Sequence, residues 1–195
     1  VYLSVKDSLN SEKAVLNAVT VLNDGTLVAT YSGRRDGGGA FTNSSGMFTY
    51  DPTSGNWTDV SDPGMHYWTK DVVIDPNDVN QNTWYVCVFS GWGGAPNGLG
   101  GLYKTTDRGA NWTRINSLDR VTSITFNPVN ADEIFMTTEQ DGLWMSSDIN
   151  SVTPTFSLVT SYPFRQPERV FFNPFNANEI WVTSFGNGMK MGTLV

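Results

Sequence analysis

The strongest constraint in this sequence is a layout that recurs along it. From Asp71 the order is a short apolar strand, the turn Asp75-Pro76, a second apolar strand, a variable loop, and a glycine leading a third strand at Gly101-Leu102-Tyr103. The order returns from Val121 with Asn127-Pro128 and Gly142-Leu143-Trp144, and from Arg169 with Asn173-Pro174 and Gly188-Met189. An earlier copy carries the tight-hairpin signal Asn23-Asp24-Gly25 and then Gly46-Met47-Phe48. The leading glycines at 46, 101, 142 and 188 stand 55, 41 and 46 residues apart. A unit of this size cannot bury its apolar face alone, so neighbouring copies must stack on one another. Helical spacing is absent over any useful length. The expectation is an all-β chain of antiparallel sheets.

Composition narrows the function classes. The chain has 195 residues, 13% aromatic and 16% charged, with 19 glycines, which favours strands and turns over helices. A net charge of −7 argues against an electrostatic grip on nucleic acid or an anionic membrane, and no apolar run is long enough to span a bilayer. Cys87, in Trp84-Tyr85-Val86-Cys87-Val88-Phe89, reads as a buried strand residue with no partner for a disulfide. Sequons at Asn43, Asn56 and Asn111 matter only in a eukaryotic secretory route.

The most specific local signal is residues 101–112, where a strand runs into Thr105-Thr106-Asp107, then Gly109 and Trp112. The Asp107 carboxylate can accept amide N–H bonds from the turn after it, Gly109 supplies a positive φ, and Trp112 brings back a large ring for packing between sheets. Asp51 and Trp57 form a looser version with an extra residue in the turn. Asp148 keeps the carboxylate without the glycine or tryptophan, and Phe156 stands as the substitute aromatic.

Thr105, Asp107, Gly109 and Trp112 match the Asp-box, S/T-x-D-x-G-x-x-W, and the chain resembles the Asp-box (BNR-repeat) proteins: sialidases, xyloglucan-degrading endoglucanases of glycoside hydrolase family 74 and sortilin-type receptors. The resemblance implies a β-propeller of four-stranded antiparallel blades. Residues 1–195 then form one partial propeller domain of about four blades. Residues 1–13 are a partial blade whose Val1–Asp7 stretch aligns with a third strand; 14–62, 63–118 and 119–163 are blades; 164–195 is an incomplete one. Because such propellers commonly have six or seven blades, the remainder is expected outside these residues, and the partners are those blades or a second propeller domain.

Propeller geometry gathers alternate loops on one rim. The ligand-binding candidates there are Arg34, Arg35, Tyr67, Trp68 and Lys70, then Trp92, Arg120, Arg165 and Arg169, with His66, Asp119, Gln140, Asp141 and Phe185 nearby. Aromatics mixed with charges suit sugars, whose ring faces stack while their hydroxyls hydrogen-bond. The expectation is an extracellular or cell-surface, carbohydrate-active propeller that binds a polysaccharide or glycoprotein glycan, or hydrolyses a β-glucan or xyloglucan. The alternative is a non-catalytic structural or protein-binding scaffold.

Whether the chain is an enzyme stays open. An inverting hydrolase needs two carboxylates roughly 6.5–9.5 Å apart, and the positional candidates are Asp36, Glu139 and Glu168. The acidic D-V-G-G-like motif of family 74 has no match. Phe164-Arg165-Gln166-Pro167 resembles the sialidase F-R-I-P motif, but there it precedes the Asp-boxes and here it follows them. The simpler readings are that Asp51, Asp107 and Asp148 hold turns, that the lone His66 makes no triad or metal cluster, and that Asp75-Pro76-Asn77-Asp78 is a plain turn. The glycine-rich loops lack the G-K-[ST] of phosphate sites. No cofactor or metal is expected.

Overall fold

The computed structural model describes residues 15–32, 45–91 and 95–194. Arg34, Arg35, Asp36 and Trp92, and the third-strand reading of residues 1–7, lie outside them. Among the described residues there are fifteen strands, one 3-10 turn at Pro63–Met65, and no α-helix. The chain divides between Asp119 and Arg120 into two compact units.

The first unit holds two antiparallel meanders. Strands β1 (Val15–Val21), β2 (Leu27–Ser32), β3 (Gly46–Asp51) and β4 (Asn56–Asp59) pair in sequence order. Strands β5 (Trp68–Ile74), β6 (Trp84–Phe89), β7 (Gly101–Thr105) and β8 (Thr113–Asn116) do the same. One residue pair, Ser32 with Trp68, links the meanders into a continuous hydrogen-bonded sheet. The Asn23-Asp24-Gly25 turn forms as expected: the Gly25 N–H donates to Leu22 O, and the Thr26 N–H donates to the Asp24 carboxylate at 3.0 Å. The longer turn after Asp75 is wound round Asp78, whose carboxylate accepts from the amides of Asn80, Asn82 and Thr83.

Alternation then decides the packing. Leu22, Val28, Met47, Met65, Val72, Trp84, Val86, Val88 and Tyr103 form the main core, with Val60 and Trp112 against it. The other face of the first meander carries Ala29, Tyr31 and Phe48, joined by Trp57. Strand β6 is buried along its whole length, and Cys87 within it is fully buried and forms no disulfide.

The second unit repeats the pattern. Strands β9 (Val121–Asn127), β10 (Asn130–Thr138), β11 (Leu143–Ser146) and β12 (Ser157–Leu158) form one sheet, and β13 (Pro167–Asn173), β14 (Asn176–Ser184) and β15 (Gly188–Thr193) another. Phe135, Leu143, Val170, Ile180 and Val182 fill the space between them. Hydroxyls tie the two sheets together: Ser123 donates to Glu168 O, Thr125 to Val170 O and Thr137 to Glu168 O, at 2.8–3.1 Å.

Candidate functional site

The turn between β7 and β8 is held by a closed set of hydrogen bonds. The Thr105 hydroxyl donates to Asp107 Oδ1 at 2.7 Å and accepts from the Asp107 and Gly109 amides. The Asn111 amide donates to Asp107 Oδ1, and its side chain donates to Oδ2 at 2.7 Å. Gly109 sits at φ +87°, and a Cβ there would lie 3.0 Å from Val60 Cβ. Trp112 lays its ring on the core and donates Nε1–H to Val60 O at 2.6 Å. Both Asp107 carboxylate oxygens accept hydrogen bonds within the turn, which is a structural use of a carboxylate.

The turn at Asp148 is built alike. The Ser146 hydroxyl and the Thr155 amide and hydroxyl donate to the carboxylate. The fully buried side chain there is Ile149, while Phe156 is only half-buried. Asp51 accepts from the Thr53 amide and the Ser54 hydroxyl, and Trp57 packs edge-on to Tyr31. At the tip of the β7–β8 turn, Arg108 reaches the Asp24 carboxylate at 2.5 Å, Asn82 Oδ1 and Asn80 O.

These bonds make acid stability predictable. The Arg108 guanidinium pulls Asp24 down to about 2. The Asn111 side chain, then the Thr105 hydroxyl, lower Asp107; the Thr155 amide lowers Asp148; the Ser54 hydroxyl lowers Asp51; Thr83 lowers Asp78. Depressed folded-state values stabilise the fold fully above the ordinary carboxylate pKa of about 4 and lose that contribution as pH falls through them. The urea midpoint is expected to hold down to about pH 5 and to fall steadily between about pH 4 and about pH 2. Asp24→Asn should flatten that curve across the whole window from about pH 4 to about pH 2, but by little, because the Asp24 side chain is 46% exposed and solvent screens the pair.

In the first unit, residues 62–70 bring several expected site residues together. Asp62 caps the 3-10 turn by accepting from the Gly64 amide, and His66 Nδ1 lies 3.1 Å from Ser45 O. Trp68 and Phe89 pair across β5 and β6 with ring centroids 5.0 Å apart. Lys70 Nζ stands 5.7 Å from both ring centres. Tyr67, Trp68 and Lys70 are all half-buried. Asp119 closes the loop before β7: its carboxylate accepts from the Gly98 and Gly100 amides, and its carbonyl accepts from the Ser90 amide. Arg114 reinforces the loop by donating to Gly98 O at 2.6 Å. Neither the latch at Asp119 nor the brace at Arg114 is marked by any local motif.

In the second unit, Arg120 is 8% exposed and ion-pairs with Glu139, whose amide donates to Arg120 O. Glu168 and Arg169 are half-buried on β13, while Arg165 and Phe185 are exposed. Gln166, at φ +55°, accepts the Phe185 amide at its carbonyl. The sheets of this unit also enclose a cavity of about 290 Å³ lined by Phe135, Leu143, Ile180, Val182 and Lys190 among others. Among the described residues, no group of three or more His, Cys, Asp or Glu is placed to hold a metal ion, and no helix is long and apolar enough to cross a membrane.

No protein-family model matches the sequence, and no curated protein matches it. Among solved structures the chain is similar to an ancestral GH74 enzyme, at 15% identity and TM-score 0.62, over 91% of this chain and 22% of that one. It is similar to the extracellular domain of the hybrid two-component system BT4673 from B. thetaiotaomicron, at 13% identity and TM-score 0.61, over 93% of this chain and 20% of that one. A third likeness is YCF48 solved with a bound D1 peptide, at 12% identity and TM-score 0.59, over 93% of this chain and 51% of that one. The chain thus spans about a fifth to a half of the length of these structures. At such identities the likeness carries the fold alone, and the fold is that of a β-propeller, with antiparallel sheets none of which closes on itself among the described residues.

Proposed function

We propose that this chain is about four blades of a larger, six- to seven-bladed extracellular Asp-box propeller whose rim binds a glycan of the β-glucan or xyloglucan kind. The observation that carries the reading is the cluster of Trp68, Phe89 and Lys70, with Tyr67 beside it in sequence. The half-buried Trp68 ring, backed by the buried Phe89 and with Lys70 beside it at the start of β5, offers a sugar both a stacking face and a charged hydrogen-bond donor. The turn at Thr105, Asp107, Gly109 and Trp112, with both carboxylate oxygens hydrogen-bonded inside it, supports the Asp-box assignment. Likeness to GH74 enzymes supports a carbohydrate-active role, and likeness to BT4673's extracellular domain supports an extracellular one.

Binding is favoured over hydrolysis by the use made of one carboxylate. Glu139 is engaged in an ion pair with the Arg120 guanidinium, so one of the three candidate carboxylates is taken up by the scaffold. The test is affinity electrophoresis through xyloglucan and mixed-linkage β-glucan, with a reducing-sugar assay alongside. The expected result is retardation of the wild type, about tenfold weaker retention for Trp68→Ala, as for a lost contact of about 1.4 kcal/mol, and no sugar release. Wild-type protein that runs unretarded in both gels, or a Trp68→Ala variant that binds like wild type, removes the reading. Sugar release abolished by Asp36→Asn, Glu139→Gln or Glu168→Gln makes the chain a hydrolase instead.

A further inference from the structure

Strands β1, β5, β9 and β13, which open the four runs of paired strands, each carry one residue more than the strand they pair with. The registers skip Asn17 on β1, Lys70 on β5, Thr122 on β9 and Glu168 on β13. These bulges stand at one place in the repeat. Just before the skipped residue come the pairs Leu16 with Tyr31, Thr69 with Val88 and Pro167 with Ser184, and Tyr31, Val88 and Ser184 pair on their other side with the leading glycines Gly46, Gly101 and Gly188. The same registers match Ile74 and Trp84 with Phe172 and Ile180, and Val72 and Val86 with Val170 and Val182. An extra residue reverses the alternation of a strand, so that the side chains before it change face. Val72 and Ile74 pack into the main core, and counting back from them in twos would send Trp68 there too. The extra Lys70 instead turns Thr69 inward, where it is fully buried, and brings Trp68 onto the face of Phe89.

We infer that Asn17 is a positioning residue for the glycan site, its side chain holding the bulge that turns Trp68 out of the core. Asn17 Nδ2 donates to Thr69 O at 2.8 Å, the carbonyl that immediately precedes the extra Lys70. The second unit makes the same bond with another side chain. There the skipped Thr122 donates its hydroxyl to Pro167 O at 3.2 Å, the carbonyl that immediately precedes the extra Glu168. In both units the bulged side chain of one run of strands clamps the main chain at the bulge of the run that follows. Thr69 is fastened at its other end as well, its hydroxyl donating to Met65 O at 2.7 Å. Without the Asn17 bond the Thr69 carbonyl loses its partner in a half-buried place, which carries a desolvation cost, and the bulge loses its tie to β1. What Trp68 binds rests on the glycan reading; how Trp68 is placed rests on the strand registers and this bond.

The test runs Asn17→Ala, Asn17→Thr, Trp68→Ala and the Asn17→Ala, Trp68→Ala double variant through xyloglucan gels, with amide hydrogen exchange read by mass spectrometry. Asn17→Ala is expected to weaken retention about fivefold, as for one lost hydrogen bond, and to speed exchange over residues 67–71 while β9 keeps its wild-type rate. Asn17→Thr supplies the hydroxyl that Thr122 uses and should recover both. In the Trp68→Ala background, Asn17→Ala should change retention no further, because its effect passes through the ring. Thr125→Ala removes a bond of the same 2.8 Å length, to Val170 O, and should leave retention unchanged. Asn17→Ala protein retained like a retarded wild type, an equal loss with and without Trp68, or wild-type exchange over residues 67–71 overturns the inference. Wild-type protein that is not retarded removes the glycan reading instead, and the exchange comparison then decides by itself whether Asn17 places Trp68.

Discussion

Trp84→Ala is expected to lower the free energy of unfolding by about 3–5 kcal/mol, the range for truncating a buried tryptophan. Trp84 is 1% exposed at the centre of the first unit's core, among Val28, Val72, Val86 and Tyr103. Its Nε1–H also donates to Gln81 O at 2.7 Å, so the substitution leaves a carbonyl unpaired as well as a void. In a chain of this length each kcal/mol shifts the melting temperature by roughly 2–4 °C, so a fall of about 10 °C is expected in a thermal scan. Ile180→Ala, at the matching position beside a cavity that already exists, should cost less, about 2 kcal/mol. Equal costs at the two positions would mean that the cores are not matched as the strand registers imply.

Gly100→Ala should be more damaging than any neighbouring glycine substitution. A Cβ on Gly100 would lie 1.7 Å from Asp119 O and 2.5 Å from its carbonyl carbon. That neighbour is backbone, and the same residue's carboxylate holds the Gly98 and Gly100 amides while its carbonyl holds the Ser90 amide. The variant cannot relieve the clash without opening the loop, and a loss above about 4 kcal/mol is expected, in the range reserved for such defects. Gly98 is the control. Nothing lies within 4 Å of a Cβ there, and its φ of +80° leaves only left-handed backbone strain of about 1–2 kcal/mol. Urea unfolding of both variants measures the difference, and a Gly100→Ala variant as stable as Gly98→Ala would show that the loop does not close on Asp119.

Legibility in the sequence followed the length of chain over which each interaction closes. The turn at Asp107 was readable because its partners, Thr105 and Asn111, lie two and four residues away. The hairpin at Asp24 and the buried strand around Cys87 were readable for the same local reason. Trp112 was foreseen as a ring packed between sheets, but its partner Val60 is 52 residues away and carries no signal of its own. Asp119 looked like one more rim carboxylate, yet it latches amides 19 and 21 residues upstream. Arg108 carries no signal in the sequence and spans 84 positions to Asp24. Arg120 and Glu139, expected as separate site residues, neutralise each other across 19 positions.

The sequence by itself determined the repeated unit, its strands and the carboxylate-held turns, since these depend on periods and on donors and acceptors a few residues apart. Only the tertiary structure decided which charges are consumed by the scaffold and where Trp68, Phe89 and Lys70 meet. Those outcomes depend on the order in which strands stack side by side, and stacking joins residues whose separation along the chain carries no pattern.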